Sequence, residues 1–212
     1  MRLNASRCFI AVALSATALA GTSQALAYEA GDTIIRGGLA TIAPGGSYSS
    51  VAAGAFDLRA DRDTQAGVSL SYMVTESMSV DLLASTPFEH DIEASQAGGS
   101  AIGSTKHLPP TVTISWFPLA GTDLGFKPYV GAGFNYTTFW DEELDSGADL
   151  SLDDSFGLAA QVGVDVPLDR QWSVGASAYY ADIDTDAELN GADIGTVEID
   201  PMIYRAHVVY KF

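Results

Sequence analysis

The last eleven residues, Met202 to Phe212, constrain the fold more than any other stretch. Met202, Tyr204, Ala206, Val208, Tyr210 and Phe212 take every second position, and Arg205, His207 and Lys211 stand between them. Successive side chains of a strand point to opposite faces. The segment therefore reads as a strand with one greasy and one charged face, ending on an aromatic residue. A sheet of such strands has two solutions. It turns its greasy face inward, as a soluble eight-stranded ligand-binding barrel does, or outward into lipid around a polar lumen, as an outer-membrane barrel does.

The other end of the chain favours export. Arg2 and Arg7 precede the apolar run Cys8 to Leu14, which continues through small residues to Ala20, and Ala25-Leu26-Ala27 fits the small-x-small cleavage rule. Residues 1–27 read as a signal peptide, with the mature chain starting at Tyr28. As a membrane anchor the stretch is too short and too rich in Ser and Thr, because a spanning helix needs about 20 predominantly apolar residues. Cys8, the single cysteine, leaves with the signal. The expected mature chain then has no disulfide and no cysteine-bound metal.

Two-residue alternation recurs at residues 64–72, 80–88, 111–116, 130–136, 156–165 and 172–180. Residues 33–43 and the terminal strand bring the number to eight. Connections alternate between long (45–62, 89–106, 141–154, 184–197) and short (75–77, 118–126, 167–171). This pattern predicts one all-β domain over residues 28–212, an eight-stranded antiparallel up-and-down transmembrane β-barrel with its short turns toward the periplasm. In lipid only helices and closed barrels satisfy every backbone group. The polar faces are rich in Gly, Ser and Thr, which suits the crowded interior of an eight-stranded barrel, while the greasy faces carry Leu, Phe, Trp and Tyr. The strands exceed the roughly 9–11 residues that cross a bilayer, so the wall is expected to project beyond the outer leaflet. Phe88, Trp116, Tyr129, Trp140, Trp172, Tyr180, Tyr204, Tyr210 and Phe212 lie near strand ends and read as two interfacial aromatic girdles.

Without the signal, the ten basic residues fall to eight against 27 acidic ones, a net charge of −19. Nucleic acid is excluded as a partner, since phosphate binding needs a basic patch. The acids cluster at residues 89–93, 141–149, 153–154 and 182–188, which read as solvated loop tips or as divalent-cation ligands near the anionic outer leaflet. No metal-ligand spacing joins His90, His107 and His207, and no motif joins a nucleophile to a base. Neither an enzyme nor a cofactor is expected.

Several segments resemble the OmpW family of small outer-membrane proteins. They are Tyr28-Glu29-Ala30-Gly31, residues 36–41, Leu82 to His90, His107-Leu108-Pro109-Pro110-Thr111, Lys127 to Phe139, Gln161 to Asp165, and Asp182-Ile183-Asp184-Thr185. They fall in order along nearly the whole mature chain, while the long loops match poorly. The resemblance implies a narrow, largely hydrophobic lumen and passive uptake of small apolar compounds, alkane-import relatives being in the same family. The implied path leads from outside into the barrel and then sideways through the wall. It also implies a constriction near mid-height at Leu83 and Tyr179, where Tyr replaces the family's Trp and makes the closure smaller and more polar.

Parity along the strands places Arg36, Asp81, Asp165, Arg205, His207 and Lys211 on the inward face. An inward charge is costly unless paired. These residues read as an ion-pair plug, with Asp81 or Asp165 against Arg205, or as a polar filter. Proline cannot donate to a ladder. Pro109-Pro110 therefore reads as a strand start, or as a gap in the wall serving as a lateral exit. The expected partners are outer-membrane lipid and lipopolysaccharide, small hydrophobic solutes, and the assembly machinery that receives the strand ending in Phe212. A second class of function stays open: a structural or receptor barrel presenting acidic loops to lipopolysaccharide, cations, phage or bacteriocins.

Overall fold

Backbone pairing turns these alternating segments into a closed ladder. The computed structural model describes residues 27–43, 49–51, 56–60, 62–94 and 100–212. The expected signal peptide, apart from Ala27, lies outside them. Fifteen strands form among the described residues: β1 (Thr33–Ala43), β2 (Ser49–Val51), β3 (Phe56–Ala60), β4 (Asp63–Thr75), β5 (Met78–Ser85), β6 (Phe88–Ala94), β7 (Ser100–Leu108), β8 (Thr111–Trp116), β9 (Lys127–Leu144), β10 (Leu150–Leu152), β11 (Ser155–Pro167), β12 (Trp172–Ala181), β13 (Asp184–Leu189), β14 (Ala192–Glu198) and β15 (Met202–Lys211).

Eight of them close the barrel in the order β1-β4-β5-β8-β9-β11-β12-β15, every neighbour antiparallel, with β15 returning to β1. The joint runs from Ile34↔Lys211 to Ala43↔Met202. No helix among the described residues is long and apolar enough to cross a membrane. A closed antiparallel ring is the alternative that leaves no edge unpaired.

The faces fall as parity requires. Leu70, Val162 and Val208 point outward with 46%, 54% and 48% of their surface exposed, while Ser71, Ser115 and Asn135 are fully buried. An inward-facing greasy core is thereby excluded. Trp116, Trp172, Tyr204 and Phe212 stand exposed on the outer wall, and Trp172, Tyr210 and Phe212 stack edge to face at its periplasmic rim. Two residues assigned to the girdles belong elsewhere. Phe88 and Tyr129 are buried inside the lumen. Tyr129 follows the inward parity of β9. Phe88 changes face because the chain leaves the ladder at Thr86-Pro87, so even-numbered residues point outward along β5 and inward along β6.

The segments expected as long loops are largely strands. Residues 89–106 contain the paired β6 and β7, residues 184–197 contain β13 and β14, and β9 continues to Leu144. Acidic residues on one face hid an alternation that is present, for Phe88, His90 and Ile92 are buried between exposed Glu89 and Asp91. β2 and β3 add to the edge of β6, and β10, β13 and β14 form a small separate sheet. The outward face of β6 and β7 carries Glu89, Asp91 and Lys106, the last paired to Asp141 at 3.1 Å. This part of the wall stands beyond the lipid.

An outward arginine has a cost that depends on depth. Leu70→Arg, within the apolar band, is expected to lower folding stability in lipid vesicles by about 2–4 kcal/mol, and Val74→Arg near the periplasmic rim by about 0–1 kcal/mol. Reversible denaturant titration of both variants checks the difference.

Candidate functional site

The lumen is layered from charge to oil along the barrel axis. At the periplasmic end Tyr28, Ile34, Met73, Phe117, Tyr129 and Val209 pack into a plug. The Tyr28 and Phe117 rings meet edge to face at 5.4 Å, and Lys127 Nζ lies 3.7 Å from the Tyr28 ring centroid. Tyr28, just ahead of the first strand, thus acts as a stopper.

Directly above lies an ion pair. Asp165 Oδ2 accepts from Arg36 Nε at 3.0 Å, Arg36 Nη2 at 2.8 Å and the Tyr28 hydroxyl at 2.9 Å. Arg36 Nη1 donates to Ser71 Oγ at 2.6 Å. His207 Nε2 sits 3.0 Å from Asp165 Oδ1. The register explains the meeting. Asp165 pairs with Gly175, and Gly175 pairs with His207. Glycine in the middle lets the two side chains touch across it, whereas a Cβ there would lie 2.5 Å from both Asp165 Oδ1 and His207 Nε2. Arg36, Asp165 and His207 therefore assemble, and the partner expected for Asp165 is corrected. Asp165 pairs with Arg36 and not with Arg205, because Arg205 stands opposite Ala40 and Ser177, one inward step higher. Lys211 lies at the periplasmic mouth, 3.3 Å from Asp32.

Among the described residues Asp81 has no basic partner, so it does not pair with Arg205 as expected. It accepts from Ser79 Oγ at 2.8 Å, Gln161 Nε2 at 3.0 Å, Thr113 Oγ1 at 3.4 Å and Ser115 Oγ. Neutral donors from β5, β8 and β11 thus satisfy this buried carboxylate. The sequence reading missed this set. Its signal was available, since these positions share the inward parity and Gln161 is the long polar residue on that face of β11. Arg205 donates from Nη1 to Ser69 Oγ at 3.2 Å and to the Tyr179 hydroxyl at 3.4 Å, and from Nη2 to the Arg36 carbonyl at 3.3 Å.

Above Arg205 an apolar cluster stands beside the buried polar side chains of Thr111, Asn135 and Thr137, which bond to one another. Leu83 and Tyr179, the expected constriction, come together with Ala40, Ile42, Phe88 and Ile203 in one buried cluster. A file of rings continues outward: Phe88 to His107 at 5.7 Å, His107 to His90 at 4.9 Å, and His107 to Phe139 at 5.7 Å. At the extracellular end a 450 Å³ cavity is lined by Ile92, Ile102, Leu144, Leu150, Leu189 and Ile194, with Asp145 and Ser146 at its rim. Its size falls in the range of small-molecule sites.

The wall is broken at the height of the apolar cluster. The β5–β8 ladder ends at Leu83↔Thr111, and the β6–β7 ladder resumes at Phe88↔His107. Between them residues 84–87 face residues 108–110. Pro87, Pro109 and Pro110 supply no donors there. On its other side this stretch stays joined, since the Tyr136 N–H donates to the Pro110 carbonyl at 3.1 Å. The interruption thus lies on the Pro87 side of Pro109-Pro110, and Pro87 was not singled out from sequence.

Acidic clustering beyond the lipid is real but local. The carboxylates of Asp182, Asp184 and Asp200 lie within 4.8 Å of one another. Burial, followed by the charges of Asp200 and Asp182, holds the Asp184 carboxyl above its ordinary pKa.

The sequence profile of the OmpW family matches residues 29–212. Outer membrane protein W of Escherichia coli (strain K12) is 42% identical over 213 residues, covering 94% of this chain and 97% of its own. Outer membrane protein W of Vibrio cholerae serotype O1 is 40% identical over 213 residues, with the same coverage. Among solved structures, the crystal structure of the outer membrane protein OprG from Pseudomonas aeruginosa superposes with a TM-score of 0.80 at 36% identity. That match covers 88% of this chain and 98% of OprG.

Two outcomes follow from the site geometry. Asp165→Ala leaves the Arg36 guanidinium buried without its counter-ion and is expected to cost about 3–5 kcal/mol. Asp81→Asn, which keeps an acceptor and removes no ion pair, is expected to cost about 1 kcal/mol or less. Denaturant unfolding in vesicles checks the contrast.

The second outcome concerns pH. Burial first, and then the neighbouring His90, push His107 down to about 3. The unfolded chain therefore binds a proton near pH 6.5 that the folded hairpin refuses. The stability of β6–β7 is expected to be level above about pH 6.5 and to fall as the pH drops from there toward 3. Amide hydrogen-exchange protection of β6 and β7 relative to the intrinsic rate at each pH checks the sign, and protection that rises on acidification contradicts it.

Proposed function

The chain belongs to the OmpW family and resides in the bacterial outer membrane, and on that premise we propose that it is a passive channel through which small hydrophobic molecules enter and leave sideways into the lipid. One observation carries this reading: the apolar part of the lumen ends at the same height as the break in the wall. A solute in the cavity beside Ile92 and Leu150 meets apolar and aromatic side chains, with Thr111, Asn135 and Thr137 bonded to one another beside them, down to Leu83, Phe88 and Tyr179. Below that level lie Arg205, Asp81 and the Arg36–Asp165 pair, and then the Tyr28 plug. An apolar solute gains nothing by displacing bonded charges. The interruption between residues 84–87 and 108–110 opens beside Leu83 and Phe88. No energy source is needed, because partitioning into hydrocarbon drives the movement.

In this reading Leu83 and Tyr179 form the floor that turns the solute. The charge network formed by Arg36, Asp165 and His207 seals the periplasmic side, and Asp81 with its neutral donors fills the cross-section between. Pro87, Pro109 and Pro110 keep the exit unzipped. The relatives named above are outer-membrane barrel proteins, and no catalytic role is assigned to any residue.

The test is uptake of a radiolabelled short alkane by cells that produce or lack the barrel. Replacing Pro109 with Thr and Pro110 with Val, together with Pro87→Thr, restores three backbone donors along this stretch, those at 87 and 109 on the two borders of the gap. Uptake is expected to fall several-fold toward the rate of cells without the protein, in a variant whose heat-modifiable gel mobility shows it folded. Uptake at the wild-type rate removes the lateral exit. Shortening the β13–β14 hairpin separates transport from surface display: a receptor for lipopolysaccharide or phage loses its binding with the hairpin, while a channel responds to Leu83→Trp.

A further inference from the structure

Arg205 differs from Arg36, the other buried arginine of the barrel. Its side chain is 3% exposed, yet it forms no ion pair among the described residues. Three bonds at 3.2–3.4 Å hold its terminal nitrogens, and Nε is buried without a partner. Arg36, two inward positions away, has all three nitrogens bonded at 2.6–3.0 Å. Removing an arginine from water without a matched anion is strongly unfavourable, and an intramembrane charge of this kind points to a ligand pathway.

The two nearby carboxylates are already committed. Asp165 is taken by Arg36, Tyr28 and His207, and Asp81 by Ser79, Ser115, Thr113 and Gln161. Asp81 balances the charge of Arg205 across the lumen without touching it, so an anion in direct contact with the guanidinium comes from outside the chain. What lies above Arg205 indicates its other half. The next inward residue on β15 is Ile203, which belongs to the apolar cluster with Ile42, Leu83, Phe88 and Tyr179. The guanidinium lies 5.8 Å from the Tyr179 ring. A molecule fitting both surfaces has an acidic head and a short oily tail. A guanidinium matches a carboxylate through paired, parallel hydrogen bonds.

We propose that Arg205 is an anion-recognition site that anchors the carboxylate of an amphipathic monoanion, a short alkyl or aryl carboxylate, while the tail occupies the Leu83–Ile203 layer. This rests on the reading that solutes reach that layer from the outer cavity. The head displaces the long Tyr179 and Ser69 contacts and engages Nε with a terminal nitrogen, and the tail lies toward the wall break. Glu89 and Asp91 point away from the lumen, and Asp145 is the acid that lines the outer cavity on the approach.

The experiment compares uptake of labelled octanoate and octanol at neutral pH by cells producing the wild type, Arg205→Met or no barrel. Octanoate uptake is expected to fall about tenfold in Arg205→Met, the worth of a charge-assisted pair, with octanol uptake within about twofold of wild type. Octanoate uptake that falls no further than octanol uptake overturns the anchor and leaves the channel standing. If neither solute requires the wild-type barrel, the channel reading itself fails. A direct measurement then decides the anchor, and it serves equally where Arg205→Met does not fold. In wild-type barrel in lipid nanodiscs, the Arg205 Nε–H resonance is expected to shift with octanoate and not with octanol. A resonance that stays put at saturating octanoate overturns the proposal.

Discussion

Eight strands enclose a space only wide enough for their own inward side chains, and this narrowness governs the rest of the structure. Such crowding means that an inward charge draws most of its hydrogen bonds from neighbouring side chains. The Arg36–Asp165 pair does so with both members almost fully buried. It is possible because β11, β12 and β15 place Asp165, Gly175 and His207 in one row. A side chain at the middle position would part the outer two. The same crowding favours Ser and Thr around Asp81, where four small or neutral donors replace one bulky cation.

Hydrocarbon imposes the opposite demand on the wall, which must leave no backbone group without a partner. The interruption at residues 84–87 and 108–110 departs from that demand and is confined in two ways. It lies where the wall passes from the lipid-facing band into the charged face of β6 and β7, and its far side is stitched by Tyr136 to Pro110. Prolines also lower its cost. A proline has no N–H to leave unsatisfied, so the prolines in this stretch reduce the number of stranded donors. The same discontinuity flips the parity of β6, which swings Phe88, His90 and Ile92 into the lumen and makes its upper half oily.

Strand faces and barrel closure were legible in the sequence because they depend on a period of two and on residue size, both local properties. β1 ran from Thr33 to Ala43 as expected. The outer hairpins were misread because their exposed acids dominated the composition, although Glu89 and Asp91 alternate with buried residues there. Phe88 was misplaced because a parity rule holds only while the ladder is unbroken. Inward charges were identified one by one, but their pairing was not. Whether Asp165 meets Arg36 or Arg205 turns on a single step of register across three strands and on the space above Gly175, and no local pattern encodes either.

The residue at position 179 shows how one substitution couples the oily and polar halves of the lumen. The family resemblance leads to Trp there, and indole offers a donor but no acceptor. Tyr keeps a flat ring for the cluster with Leu83 and Phe88, and its hydroxyl accepts from Arg205 Nη1. The ring therefore faces oil above while its oxygen faces charge below, which a tryptophan could not do toward a guanidinium except through its π face. A floor built this way is a junction between two solvents. On the proposed path an alkyl chain fits down to the ring and an anionic group just beneath it, which makes the position of a solute's polar atoms, as well as its oiliness, a criterion for entry.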